Sequence, residues 1–157
     1  MKLHDTVNQI LTVAYRDAKR QKHEYITPEH ILYTSLFFEE GKGIIENCGG
    51  NVENLKKEIE HFFKDHIPVL DDSEPIESIG FQNVLQKSAL HVASAGKEIV
   101  DLGDVFVSIY EEKDSFANFF LQKQNIRRIN ILNYISHGVS ATPHETVTET
   151  KKDVKEI

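Results

Sequence analysis

The sequence predicts an all-α fold: two four-helix repeats, about eight helices in all, related by a pseudo-two-fold axis and packed into one globular domain. Apolar residues recur at spacings of three and four over most of positions 1–138, the period of helices with one buried stripe. Helix-start signals stand at Thr27-Pro28, Asn51 and Asp101, where a short polar side chain can accept from a first-turn amide. Sliding the chain by 74 positions then superimposes Val7 on Phe81, Ile10 on Val84, Leu11 on Leu85, Ile26 on Val100, Ile31 on Val105 and Leu32 on Phe106. The same register places Leu36 on Tyr110, Val52 on Ile126 and Leu55 on Ile129. A register kept across two helices and a cap marks a duplicated unit that buries its apolar face against its twin.

Each element follows in order. Leu3, Val7, Ile10, Leu11, Ala14 and Ala18 form one stripe, with Asn8, Gln9, Arg16, Asp17, Lys19 and Arg20 on the opposite side. Thr27 is the N-cap of the next helix, Pro28 fits its first position, and Glu29 lies near the positive end of its dipole. Ile31 to Phe38 is apolar nearly all round and is expected to be the buried helix. Gly41 and Gly43 are expected to break it, with Ile44 and Ile45 in a short apolar turn. Val52 to about His66 buries Val52, Leu55, Ile59, Phe62 and Phe63, and Pro68 ends it. The acidic run Asp71-Asp72-Ser73-Glu74-Pro75 connects to a second helical set from near Phe81 to about Gly138, a residue placed to end a helix. Asp101 and Asp104 resemble a capping box. The expected organisation is repeat one over 1–66, a connection over 67–78, repeat two over 79–138, and a Thr-, Glu- and Lys-rich linker or tail over 139–157.

Composition narrows the function. The 157 residues carry a net charge of −7, which argues against a general nucleic-acid binder, since that needs a basic surface. No stretch approaches the roughly 20 apolar residues of a membrane span, and the N-terminus lacks a secretory signal. One cysteine, Cys48, excludes an internal disulfide framework. A cytoplasmic location is expected.

Motifs that carry chemistry are few. There is no phosphate-binding Gly-rich loop and no cysteine pair for structural zinc. His61 and His66, five apart, do not share a helix face and read as a solvated edge. Cys48 reads as a small apolar helix-end residue, with a catalytic thiol as the rival; His30 reads as a local partner of the Thr27 cap, with general-base duty as the rival. No catalytic residue and no metal ligand is assigned. What remains is the segment His23, Glu24, Thr27 and Glu29, where two acids flank a cap, together with Ser78, Asn83 and Lys87 around the start of the mirror-related helix. The first group is either plain dipole complementation or a docking patch for basic or amide groups of a partner.

These segments resemble a known family. His23-Glu24-Tyr25-Ile26-Thr27-Pro28-Glu29-His30-Ile31-Leu32 is similar to the first-repeat signature of the Clp N-terminal domain found on Clp/Hsp100 protein unfoldases. Phe81 to Ala89 and Ile129-Asn130-Ile131-Leu132-Asn133-Tyr134-Ile135-Ser136-His137-Gly138 look like the ClpA type. The resemblance covers about residues 1–138. It implies a non-catalytic domain joined by a linker to AAA+ ATPase modules, which would hold the ATP and magnesium; the domain itself would need no cofactor. It implies the adaptor ClpS with its N-degron cargo, protein substrates, and the peptidase ClpP through the parent hexamer, with the isolated domain monomeric. By position, Glu24, Glu29, Ser78 and Asn83 match adaptor contacts, beside His23 and Thr27. Ser78 and Asn83 stand where the ClpA type usually has Thr and Arg, and Asn83 cannot form the charge-assisted pairs of an Arg. The alternative is a direct receptor for unfolded or modified substrates, as in the ClpB and ClpC types. The paired acids of a phosphoarginine receptor are incomplete, because Gly103 stands opposite Glu29.

Overall fold

The computed structural model describes residues 1–137. The expected helix end at Gly138 and the expected linker from 139 lie outside them. Eight helices are present among the described residues: α1 Asp5–Arg20, α2 Pro28–Ser35, α3 Glu39–Asn47, α4 Val52–His66, α5 Ile79–Ser94, α6 Leu102–Glu111, α7 Phe116–Lys123 and α8 Arg128–His137. None is long and apolar enough to cross a membrane. Four two-residue strands, invisible in the periodicity, join them: β1 Lys2–Leu3, β2 Tyr25–Ile26, β3 Ile76–Glu77 and β4 Ile99–Val100.

The strands tie the repeats together crosswise. β1 pairs in parallel with β4, and β2 with β3, so each repeat lends its first strand to the other. Segments this short become extended only because tertiary contacts pair them.

Backbone details carry the duplication further. Lys22 and Gly96, 74 positions apart, both take the left-handed conformation after their helices (φ 61° and 73°). The expected register fails beyond that. α6 has 10 residues where α2 has 8, and the later elements match at 76 rather than 74. Gly50 N–H bonds Ile45 O at 2.8 Å, and Ile126 N–H bonds Leu121 O at 3.1 Å; Gly49 and Asn125 are the matching left-handed residues. The buried counterpart of Leu55 is therefore Ile131, at 0% exposure, and not Ile129, at 48%. Val52 likewise loses Ile126 as its exact partner.

A second correction concerns Gly41 and Gly43, which lie inside α3 with Ile44 and Ile45 rather than breaking a helix. The chain turns earlier, at residues 36–38. A Cβ on Gly41 would sit 2.0 Å from the Ser35 carbonyl oxygen, so glycine is what lets α3 begin against the end of α2. The burial of α2 is as expected, and it touches α5, α6 and α7 of the other repeat. Leu32, Leu36, Leu55, Ile59, Phe106, Ile109, Leu121 and Ile131 close one core shared by both repeats.

Candidate functional site

Three helices begin at one place. Thr27, Ser78 and Ser115 are the N-caps of α2, α5 and α7, and all three line a cleft of about 340 Å³ with Glu29, Asn83, Glu112, Asp114, Ile79 and Phe116. The β2–β3 pairing sets the spacing, since Ser78 N–H bonds Ile26 O at 3.0 Å. Gly80 lets α5 start against α2: a Cβ there would meet Pro28 Cγ at 3.2 Å. Converging helix N-termini give the cleft a positive backbone lining, and carboxylates occupy it.

Glu29 is one of them, and it is 3% exposed. Its carboxylate accepts the Ala117 N–H at 2.7 Å, capping α7 from the other repeat. Burial pushes its carboxyl above the usual range, while bonds from Ala117, Thr27 and the Phe116 backbone pull it back. Glu29 thus anchors the cleft wall and is not the open acid expected from its place at a helix start.

Glu112 is the second. Asn83 Nδ2 donates to it at 3.1 Å and Lys87 Nζ at 3.1 Å, so its charge is balanced within the cleft. Ser78 accepts from Phe81 N–H at 3.0 Å as the α5 cap. Asp114, by contrast, is exposed and has no ion pair among the described residues. Ile79 and Phe116 add exposed apolar surface, continued by Phe119.

Of the six residues singled out by sequence, Thr27, Glu29, Ser78 and Asn83 meet in this cleft; His23 and Glu24 do not line it. Glu24 is half-buried in β2's approach, its backbone bonded to Pro68 and Ile76. Its carboxylate has no hydrogen bond or ion pair among the described residues. His23 is buried, with Nδ1 2.9 Å from His30 Nε2. His30 Nδ1 accepts the Thr27 N–H at 3.0 Å, which is the local cap bond expected for it. Burial, with the nearby His23 ring, lowers His30 to about 3. Cys48 is the buried C-cap of α3, and burial raises its thiol to about 11, which suits packing rather than nucleophilic attack. His61 and His66 are exposed; His66 stacks on Phe62. No group of three or more His, Cys, Asp or Glu that could hold a metal occurs among the described residues.

Glu112, Asp114, Ile79 and Phe116 carry no signal in the sequence that marks them as part of a site. Ser115 three residues before Asn118 was a readable cap signal; nothing local said that α7 would start beside α2.

Comparisons with known proteins agree with this architecture. Residues 2–124 match the family model of the Clp repeat (R) N-terminal domain. A "ClpA homolog protein" of Fuscovulum blasticum is 33% identical over 142 residues, covering 88% of this chain and 18% of that protein. The chain therefore spans under a fifth of that relative's length. The Hsp104 N-terminal domain from Candida albicans superposes with a TM-score of 0.75 at 13% identity, covering 93% of this chain and 99% of that one. The N-domain of ClpV from Vibrio cholerae gives 0.72 at 22%, covering 86% and 83%. A ClpV N-domain in complex with a VipB peptide gives 0.72 at 20%, covering 87% and 86%.

Proposed function

We propose a docking role for this chain, which belongs to the Clp repeat N-terminal domain family: it recruits a delivery adaptor of the ClpS type, with N-degron cargo, to a ClpA-type AAA+ unfoldase that feeds ClpP. The domain contributes binding and no catalysis; ATP and magnesium belong to the parent's ATPase modules. The observation that carries the reading is the cleft where three helix starts meet, rimmed by the open carboxylate of Asp114 and the exposed Ile79 and Phe116. Apolar edges supply contact area, and rim charge supplies orientation and on-rate. Ser78 and Asn83 meet the adaptor directly, with the free carboxylate of Glu24 beside the strand pair. Thr27, Glu29 and His23 act from beneath, by holding α2 and α7 in place.

Isothermal titration of the 157-residue chain with ClpS tests this. Asp114→Ala and Phe116→Ala are expected to weaken binding by about tenfold together, roughly 1.4 kcal/mol, with unchanged helicity. Undiminished affinity removes the site, and no binding by the parent chain removes the adaptor.

A second reading is direct receipt of peptide segments of substrates, without an adaptor. The ClpV N-domain, a fold relative, is known in complex with a VipB peptide, which favours it. Unfolded or modified peptides titrated without ClpS separate the two.

A further inference from the structure

We propose that His23 and Lys64 form a second ligand site, separate from the cleft, for a carboxylate attached to a small apolar group. The site is a depression of about 340 Å³ bounded by His23, Phe63, Lys64, Val69, Tyr33 and Glu60, none of which lines the cleft.

The proton arrangement in its floor follows from a chain of hydrogen bonds. His30 Nδ1 accepts from Thr27 N–H, so that nitrogen carries no proton. The neutral ring then holds its proton on Nε2, 2.9 Å from His23 Nδ1, and donates it there. His23 Nδ1 is therefore an acceptor, and the proton of His23 stands on Nε2. Burial lowers both imidazoles, which keeps this neutral arrangement at neutral pH.

His23 is 5% exposed. Its Nε2 has no hydrogen-bond partner among the described residues, yet it is not among the side-chain atoms sealed from solvent without one. In the proposed site this N–H is the donor that serves the depression His23 lines. The surroundings choose the acceptor. Lys64 is exposed, lines the depression and has no ion pair among the described residues, so a cation stands at the rim. The Glu60 carboxylate is engaged by the Tyr33 hydroxyl at 2.6 Å. Phe63, whose ring lies 5.3 Å from that of His23, and the exposed Val69 give apolar walls. A buried donor, a free cation that offsets the Glu60 charge, and two apolar walls fit a carboxylate with a branched aliphatic body that sits on the His23 and Lys64 side, away from the Glu60 carboxylate held by Tyr33. A metal ion does not fit, because the one open ring nitrogen is protonated.

A peptide C-terminus ending in an aliphatic residue and a free carboxylic acid share this chemistry. The test is NMR of the histidine ring nitrogens of the ¹⁵N-labelled 157-residue chain. His23 Nε2 is expected to carry the proton and to shift saturably with N-acetyl-leucine but not with N-acetyl-leucinamide. Lys64→Gln, a surface change that leaves the core untouched, is expected to weaken binding about threefold; His23→Phe removes it. Isovalerate binding as tightly as N-acetyl-leucine identifies free acids as the source, and weaker binding identifies chain ends; both support the site. Equal response to acid and amide, no response to either, unchanged affinity in Lys64→Gln, or a proton on Nδ1 of His23 each overturns it.

Discussion

The internal duplication produces two equivalent clefts, and they have diverged in chemistry. The first lies at Thr27, Glu29 and Ser78; the second lies at Asp101, Gly103 and His4, each 74 positions away, with the same volume of about 340 Å³. In the first, Glu29 reaches across to cap α7. In the second, Gly103 leaves that space to α8: a Cβ there would stand 2.6 Å from Ile135 Cγ2. One position thus decides whether the space beside the helix start holds a carboxylate that caps a helix of the other repeat or the Ile135 side chain of α8. A repeated backbone supplies the geometry twice, and single side chains decide what lines each copy: Asp114, Ile79 and Phe116 rim the first, while Glu40, Asp101 and Tyr134 line the second.

The capping boxes differ in the same way, and acid should separate them most. His30 closes the box of α2, while Asp104, its equivalent in α6, closes that repeat's box with Lys97 3.1 Å away. With His30 held near 3 when folded against 6.5 ordinarily, the unfolded chain takes up a proton that the folded chain refuses as pH falls below about 6.5. Stability is full above that value and falls toward pH 3, by roughly 4 kcal/mol from this residue. His23, also lowered, acts in the same direction. Glu29 opposes them: its raised carboxyl contributes stability at low pH that is lost as pH rises through its folded value. Urea unfolding at neutral pH and at about pH 4, with hydrogen exchange, should show α2 opening before α6. Flat stability, or α6 opening first, contradicts the contrast.

Next in size is transplanting the first cleft's acid into the second. Gly103→Glu should cost about 3 kcal/mol or more by denaturant titration, through collision with Ile135 and a buried charge. Adding Ile135→Ala should recover part of that loss. An uncosted Gly103→Glu would mean that Ile135 of α8 does not fill the space beside Gly103.

The smallest effect comes from removing the acid where it belongs. Glu29→Ala leaves the buried Ala117 N–H without its acceptor and should cost about 2 kcal/mol, with Glu29→Gln nearer 1. Thermal unfolding measures both. Equal stability in all three chains would return Glu29 to the class of dispensable surface acids.

Much of the fold was legible because helices declare themselves locally. The stripe of α1, the Thr27-Pro28 start and the burial of α2 each follow from residues within a dozen positions. The register beyond α6 was not, because the apolar pattern of α8 aligns acceptably at 74 or 76, and only burial tells Ile129 from Ile131. The candidate site was half legible: Thr27 carries a cap signal, Ser78 and Asn83 by themselves pass as surface and stand out only through the family resemblance, and the local role of Glu29 concealed its long-range one. Glu112 and Asp114 have no local signature at all.

The sequence by itself determined the starts of α2, α4 and α6 and the buried stripes of α1 and α4, since capping and amphipathic spacing act over a single turn or two. Only the tertiary structure decided that β1 would pair with β4 and β2 with β3, that three N-caps would meet, and that a buried Glu29 would serve the far repeat. Those outcomes depend on groups distant in the chain being desolvated together, an energy that no short window contains.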